Sequence, residues 1–129
     1  MTNKINYSKI PEFERDFKRL GKRFKTLDKD FELMKKMLLE PHFISGVPVP
    51  PKALVDIEGF CGEDYKSKKV RRFTCASLKG RGGNSGIRVI FVYEKSEDIH
   101  NITFIEIYFK GEKENEDRER LAKFLKELG

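Results

Sequence analysis

KSKKVRRFTCASLKGRGGNSGIRVIFVYEKSEDIHNITFIEIYFKGEK, residues 66–113, carries the pattern on which the fold turns. Two runs in it, 87–94 (IRVIFVYE) and 102–110 (ITFIEIYFK), are rich in β-branched and aromatic residues, the types that suit a pleated, packed surface. The polar segment 96–101 between them is short enough for a hairpin loop. A third strand-like run, 70–78 (VRRFTCASL), precedes them and ends in the glycine-rich loop 80–86. From Lys66 to Tyr93 there are eight basic residues and no acidic one. A β-meander with that imbalance presents a surface suited to a polyanion.

Alternation along each strand sorts the side chains by face. In 102–110, Thr103, Ile105, Ile107 and Phe109 share the expected core face, while Glu106, Tyr108 and Lys110 share the other with Ile102 and Phe104. In 87–94, Arg88 shares a face with Ile90, Val92 and Glu94. In 70–78, Phe73 and Cys75 lie on one face, and Arg72 and Thr74 on the other. Arg72, Arg88, Tyr108 and Lys110 are therefore expected to converge on an exposed, concave side of the sheet.

Upstream, residues 4–7 alternate polar and apolar and read as a short edge strand. Pro11 then suits a first helical turn, where its missing N–H costs nothing. Phe13, Phe17, Leu20, Phe24, Leu27, Phe31, Met34 and Leu38 follow in steps of three and four, one stripe of an amphipathic helix. A single helix over 11–40 would span about 45 Å, more than a small domain is wide. The stripe is therefore divided near Lys25–Thr26, with Thr26 capping a second helix that Pro41 ends. Segment 41–69 carries Pro48, Pro50 and Pro51 on an extended path, and 53–60 reads as either a strand or a short helical turn. Leu121, Phe124, Leu125 and Leu128 space out a last amphipathic helix starting near Asn115, with Glu116 and Asp117 suiting its N-terminal dipole. The expected fold class is α+β: an antiparallel sheet of four or five strands, packed by two N-terminal helices and followed by a C-terminal helix. Phe17, Leu20, Leu27, Phe31, Ile105, Ile107 and Phe109 are expected in the core.

A chain of 129 residues fits one domain with a modest core. Its net charge of +6 points to an anionic partner. The two cysteines, Cys61 and Cys75, fit no zinc spacing and read as reduced, partly buried thiols. MTNKINYSKI contains no apolar segment of the kind a secretory signal needs, and no apolar run approaches the ~20 residues of a membrane span. No membrane partner and a cytoplasmic location are expected.

A cluster of arginines suits a phosphate, because each guanidinium is a rigid fork of paired donors that stays charged. The same donors stabilise extra charge on a reacting phosphate. Tyr108 or a lysine is a candidate to handle protons, with Glu106 or Glu112 a candidate base. The cluster is cationic and repels a divalent ion, so no metal and no cofactor are expected. His42, after Pro41, and His100, in the hairpin turn, are poor catalytic candidates. The glycines at 80, 82, 83 and 86 lack the Lys-Ser/Thr helix start of a nucleotide-binding loop and read as a mobile hairpin loop.

The order of these pieces resembles the RelE/ParE superfamily of type II toxins. It is carried by INYSKIPEFERDFKRL, by a second helix ending at a proline, by KKVRRFTCASLKG, by GIRVIFVYE and by ITFIEIYFKGEKENEDRERL. The resemblance implies a single RelE-like toxin domain over residues 1–129. It also implies a metal-independent, ribosome-dependent mRNA endoribonuclease, in which the ribose 2′-hydroxyl attacks the adjacent phosphate. By position, Arg88 matches the family's arginine on the central strand, and Arg71 and Arg72 its basic residues on the strand before. Lys110 and Lys113 match the basic positions after the last strand. Arg88, Arg72, Lys110 and Tyr108 are the implied catalytic set. Arg71, Lys79, Arg81 and Lys113 are the implied RNA contacts. The implied partners are the ribosome with its mRNA and a cognate antitoxin. Two features depart from the family: no tyrosine follows Lys113, and the segment 41–69 is long. A ParE-like toxin that inhibits a topoisomerase and a non-catalytic RNA-binding domain are the alternatives on the same fold.

Overall fold

A computed structural model describes residues 4–78 and 80–128. Among these, one sheet holds five strands in the order β1-β5-β4-β3-β2. The strands are β1 (Lys4–Lys9), β2 (Leu54–Cys61), β3 (Tyr65–Val70), β4 (Ile87–Ser96) and β5 (Ile99–Phe109). β2 to β5 form an antiparallel meander, but β1 pairs with β5 in parallel. The sheet is thus mixed rather than antiparallel. Everything between β1 and β5 acts as the long connection that a parallel pair needs.

That connection begins with α1 (Pro11–Arg23) and α2 (Leu27–Met34), and the expected break falls between them. Thr26 stands at the N-cap of α2, yet its hydroxyl makes no cap bond. Instead it donates to Asp30 Oδ2 (2.7 Å) and accepts from the Ser77 N–H (2.9 Å). Asp30 also accepts from the Ala76 N–H at 3.1 Å, so the turn between the helices is tied to the loop after β3. Pro41 does not end the second helix. A π-helical turn at Lys35–Leu39 widens the helix just before it, and α3 (Glu40–Ser45) carries on to Gly46, whose φ of +70° closes it. Proline's ring crowds the carbonyl four residues back, and a wide turn relieves that crowding. His42 accordingly lies in a helix, not a loop, with Nδ1 2.9 Å from the Val47 carbonyl.

Of the two readings left open for 53–60, the strand holds: β2 forms a hairpin with β3. Two further expectations need correction. Run 70–78 is not a strand, because β3 stops at Val70 and only an isolated bridge joins Phe73 to Asn84. His100 lies within β5, buried, its Nδ1 2.7 Å from the Tyr93 hydroxyl. The β4–β5 turn is shortened to Glu97 and Asp98, and Glu97 takes the φ of +52° that so tight a reversal requires.

Both faces of the sheet are covered. Phe13, Leu20, Phe24, Leu27 and Phe31 pack with Val89, Phe91, Ile102, Phe104, Ile107 and Phe109 on one face. On the other, α4 (Arg118–Leu128) lays Leu121, Phe124 and Leu125 over Ile57, Ile90, Val92, Ile105 and Tyr108. The strict alternation assumed for β5 fails at one point. Ile90 pairs with Glu106 but Phe91 pairs with Phe104, leaving Ile105 as the extra residue of a β-bulge. The bulge resets the phase, so Ile102 and Phe104 join Ile107 and Phe109 on the α1–α2 side. Ile105 and Tyr108 turn to α4. All the expected core residues are buried except Phe17, which is half-buried. Cys75 is buried and Cys61 exposed, both as free thiols. No helix among the described residues is long and apolar enough to cross a membrane.

Candidate functional site

α4 leaves one end of its sheet face open. There a cleft of about 180 Å³ is lined by Val55, Lys69, Arg71, Arg88, Tyr108 and Lys110, with Glu114 and Asn115 at its lip. Register explains the gathering. Arg88 on β4 stands opposite Tyr108 on β5, and Lys69 on β3 opposite Ile90. Arg71 lies two residues past Lys69 and keeps to the ladder, its N–H donating to the Ala53 carbonyl at 2.8 Å. Lys110 follows β5 directly, its N–H donating to the Gly86 carbonyl at 2.8 Å. Gly86 has a φ of +89°, and a Cβ there would lie 3.3 Å from the Phe109 ring. This is a position where glycine alone fits without strain.

Three of the four expected catalytic residues, Arg88, Tyr108 and Lys110, therefore meet, together with Arg71. Arg72 does not join them. It is exposed and runs alongside Gly83, where a Cβ would fall 3.1 Å from its Nε. The alternation assumed for 70–78 does not apply beyond the end of β3, and Arg71 takes the place in the cleft. Arg81 turns back on its own loop, with Nη1 3.5 Å from the Ser85 carbonyl. Lys113 pairs with Glu106 and sits 5.6 Å from the centre of the Tyr108 ring, behind the cleft. Lys79 lies outside the described residues. Sequence reading missed Lys69, Glu114 and Asn115 as lining residues. Lys69 lay at the end of a segment whose strands gave no clear period.

Neither carboxylate expected as a base faces the cleft. Glu106 is buried, accepting from the Lys113 ammonium and from the Asp117 N–H at 2.7 Å. Asp117 in turn caps α4 through the Arg120 N–H at 3.0 Å. Glu112 pairs with Arg19 (3.1 Å) and Arg23 (2.9 Å) on α1. Glu106 thus fixes the strap from Lys110 to Asp117. Glu114 is the one carboxylate among the described lining residues.

The electrostatics fit a phosphate. The Arg88 guanidinium is half-buried and donates from Nη1 to the Arg71 carbonyl at 2.8 Å, which fixes its fork. Burial, and then the Arg71 charge, lowers its pKa, while Tyr108 partly offsets this. Arginine starts far enough above neutrality to stay charged. Burial, with Glu116 and Glu106 adding to it, pushes the Tyr108 hydroxyl up to about 12, against the pull of Arg88 and Arg71. At neutral pH that hydroxyl is a hydrogen-bond donor and a proton source, not a base.

Behind the cleft, Lys69 Nζ lies 2.6 Å from Glu116 Oε1 and Arg118 Nε 3.0 Å from Oε2. Burial raises the Glu116 carboxyl, but Lys69, its own backbone N–H and Arg118 outweigh burial and hold it below the ordinary 4.5. A depressed folded-state pKa gives stability that is whole above the unfolded value and lost as pH falls through the folded one. Glu116→Gln leaves the half-buried Lys69 without its counter-charge and is expected to cost about 1–2 kcal/mol at neutral pH. Urea midpoints should show that gap closing below the carboxylate range. A gap that persists in acid would mean that Glu116 acts by shape rather than by charge.

Comparison of the chain with protein-family models, with curated proteins and with solved structures yields no match.

Proposed function

We propose that the chain is a toxin of the RelE-like kind, a metal-independent endoribonuclease that cuts mRNA on the ribosome. One observation carries the reading: Arg71, Arg88 and Lys110 line a single cleft together with Tyr108, whose hydroxyl stays protonated at neutral pH. In the proposed reaction a ribose 2′-hydroxyl attacks the neighbouring phosphorus, and the leaving 5′-oxygen takes up a proton. Arg88 and Arg71 hold the non-bridging oxygens as their charge grows. Tyr108 donates toward the same oxygens or the leaving group, and Glu114 is the carboxylate placed to accept the 2′-hydroxyl proton. The resemblance adds a cognate antitoxin as partner, an acidic segment that would cover this basic chain. Co-expression with the adjacent reading frame, followed by pull-down, tests that part.

The activity is tested by translating a defined message with purified ribosomes and mapping breaks by primer extension. Breaks that need both ribosome and protein, and that survive chelation, support the reading. Intact message with an inhibited topoisomerase would transfer the chain to the ParE-like reading. Intact message with RNA binding alone would leave a non-catalytic RNA-binding domain.

A further inference from the structure

At the turn end of the β4–β5 hairpin, away from the cleft, lies a buried histidine that the proposed chemistry does not use. His100 is 4% exposed, and among the described residues its Nε2 has no hydrogen-bond partner. Its Nδ1 shares a bond of 2.7 Å with the Tyr93 hydroxyl. Phe43 of α3 packs against both. Its ring stacks on Tyr93 at 4.4 Å and 22°, and lies 6.3 Å from the imidazole. α3 buries none of its own residues fully. Phe43 and the bond from the Tyr7 hydroxyl to Glu40 Oε2 (3.2 Å) anchor it to the sheet. The surroundings of His100 do not favour a positive charge. Lys95 stands opposite on β4 and repels a cation. Ile5 stands beside it on β1, with Lys4 next in that strand. Tyr93 is neutral, since burial pushes its hydroxyl above the ordinary 10. On α3, Glu40 is engaged by Tyr7, and His42 turns to the Val47 carbonyl at 2.9 Å. Glu97 and Asp98 are exposed in the turn, and among the described residues no carboxylate pairs with His100.

We propose that His100 is a pH-sensitive latch for α3. Neutral, the ring keeps Nδ1 on the Tyr93 oxygen and can leave Nε2 bare. Protonated, it carries hydrogens on both nitrogens, and the Nε2–H is buried without an acceptor. A buried charge with an unmade hydrogen bond is strongly unfavourable, and admitting water relieves it. α3 is the element that yields, because the β1 and β4 ladders hold the other sides of His100. Cation–π attraction does not hold α3 down. The Tyr93 face, 5.8 Å from the imidazole, stays with the sheet, and Phe43 at 6.3 Å lies beyond the ~6 Å reach of that contact. Lifting Phe43 hydrates the imidazole and bares the Tyr93 ring. Linkage fixes the direction. Burial, then Lys95, lowers the folded-state pKa below the ordinary 6.5. Docking of α3 is therefore at full strength above 6.5 and weakens as pH falls through that value toward the folded one. The inference uses nothing of the Arg88 cleft and holds whether or not the chain cuts RNA.

The test is hydrogen exchange of the whole chain between about pH 7.5 and about pH 5, the range in which histidine titrates, corrected for intrinsic rates. The His100 ring is followed by NMR over the same range. Protection of the α3 amides is expected to fall by up to about tenfold per pH unit below 6.5, the limit for one linked proton. The α4 amides, across the sheet, should keep theirs. His100→Gln stays neutral and should keep α3 docked throughout. Lys95→Glu, at an exposed site, sets a carboxylate opposite the ring, and should raise the His100 midpoint and shrink the loss. That variant keeps the test decisive if His100→Gln fails to fold. His42→Gln removes the other histidine and should respond as the parent does. Protection that falls as steeply in His100→Gln, or that stops falling in His42→Gln, would overturn the proposal. So would a His100 ring that titrates at 6.5 with α3 undisturbed, or α4 amides that open together with α3.

Discussion

Arg88→Ala should lower ribosome-dependent cleavage by about 10²–10³-fold, the usual loss for one preorganised donor to a developing oxyanion. The size follows from how Arg88 is held. Its place opposite Tyr108 in the central β4–β5 ladder and its bond to the Arg71 carbonyl fix the guanidinium before any substrate arrives. The preorganisation is done by the sheet, so little reorganisation remains for the reaction. Arg88→Lys should recover part of the rate, since an ammonium supplies charge without the paired fork. Removing the side chain also frees the Arg71 carbonyl, but Arg71 is exposed and water replaces the bond at about 1 kcal/mol. Melting curves should therefore stay close to the parent's. Lys29→Ala, exposed on α2 and away from the cleft, is the control. Unreduced cleavage by Arg88→Ala would sink the site assignment.

The parts of this site that could be read from sequence are those that obey a period. The two long strands, their hairpin and the stripe of α1 and α2 follow from alternation and from three-and-four spacing. They place Arg88 and Tyr108 on one face. Arg72 was misplaced because alternation was carried beyond the end of β3; Arg71 still bonds across to Ala53, and past it the alternation no longer holds. Lys69 was hidden because β2 is interrupted by a register shift between Asp56 and Cys61, and prolines precede it. The hairpin of β2 and β3 is held by its neighbours more than by its own pattern. The carboxylates were misjudged for another reason. Glu106 and Glu112 stand near the basic residues in sequence, yet each is engaged by a distant partner, the Asp117 N–H or α1. Long-range pairing of that sort leaves no local trace. Parallel pairing of β1 is likewise invisible in six residues whose partner lies nearly a hundred positions on.

Phe104→Ala puts the bulge itself to the test, and its expected cost is about 3–5 kcal/mol. Under strict alternation Phe104 shares the exposed face with Tyr108 and Lys110, and its loss would matter little. The bulge at Ile105 places it instead in the main core, 2% exposed, with ring centroids 5.4 Å from Phe13, 4.9 Å from Phe31 and 5.8 Å from Tyr7. Truncation removes the apolar burial and leaves a cavity that four surrounding aromatics, Phe91 included, cannot close by small shifts. Its melting temperature should fall by roughly 10–20 °C. Ile105→Ala should also destabilise, but through the other face, by loosening α4 over Tyr108. Hydrogen exchange separates the two: Phe104→Ala should expose α1 and α2 first, and Ile105→Ala the α4 amides. If Phe104→Ala melts with the parent, the strand has no bulge at Ile105. Phe104 then shares the α4 side with Glu106 and Tyr108, and the aromatic cluster beneath α1 and α2 loses its central ring.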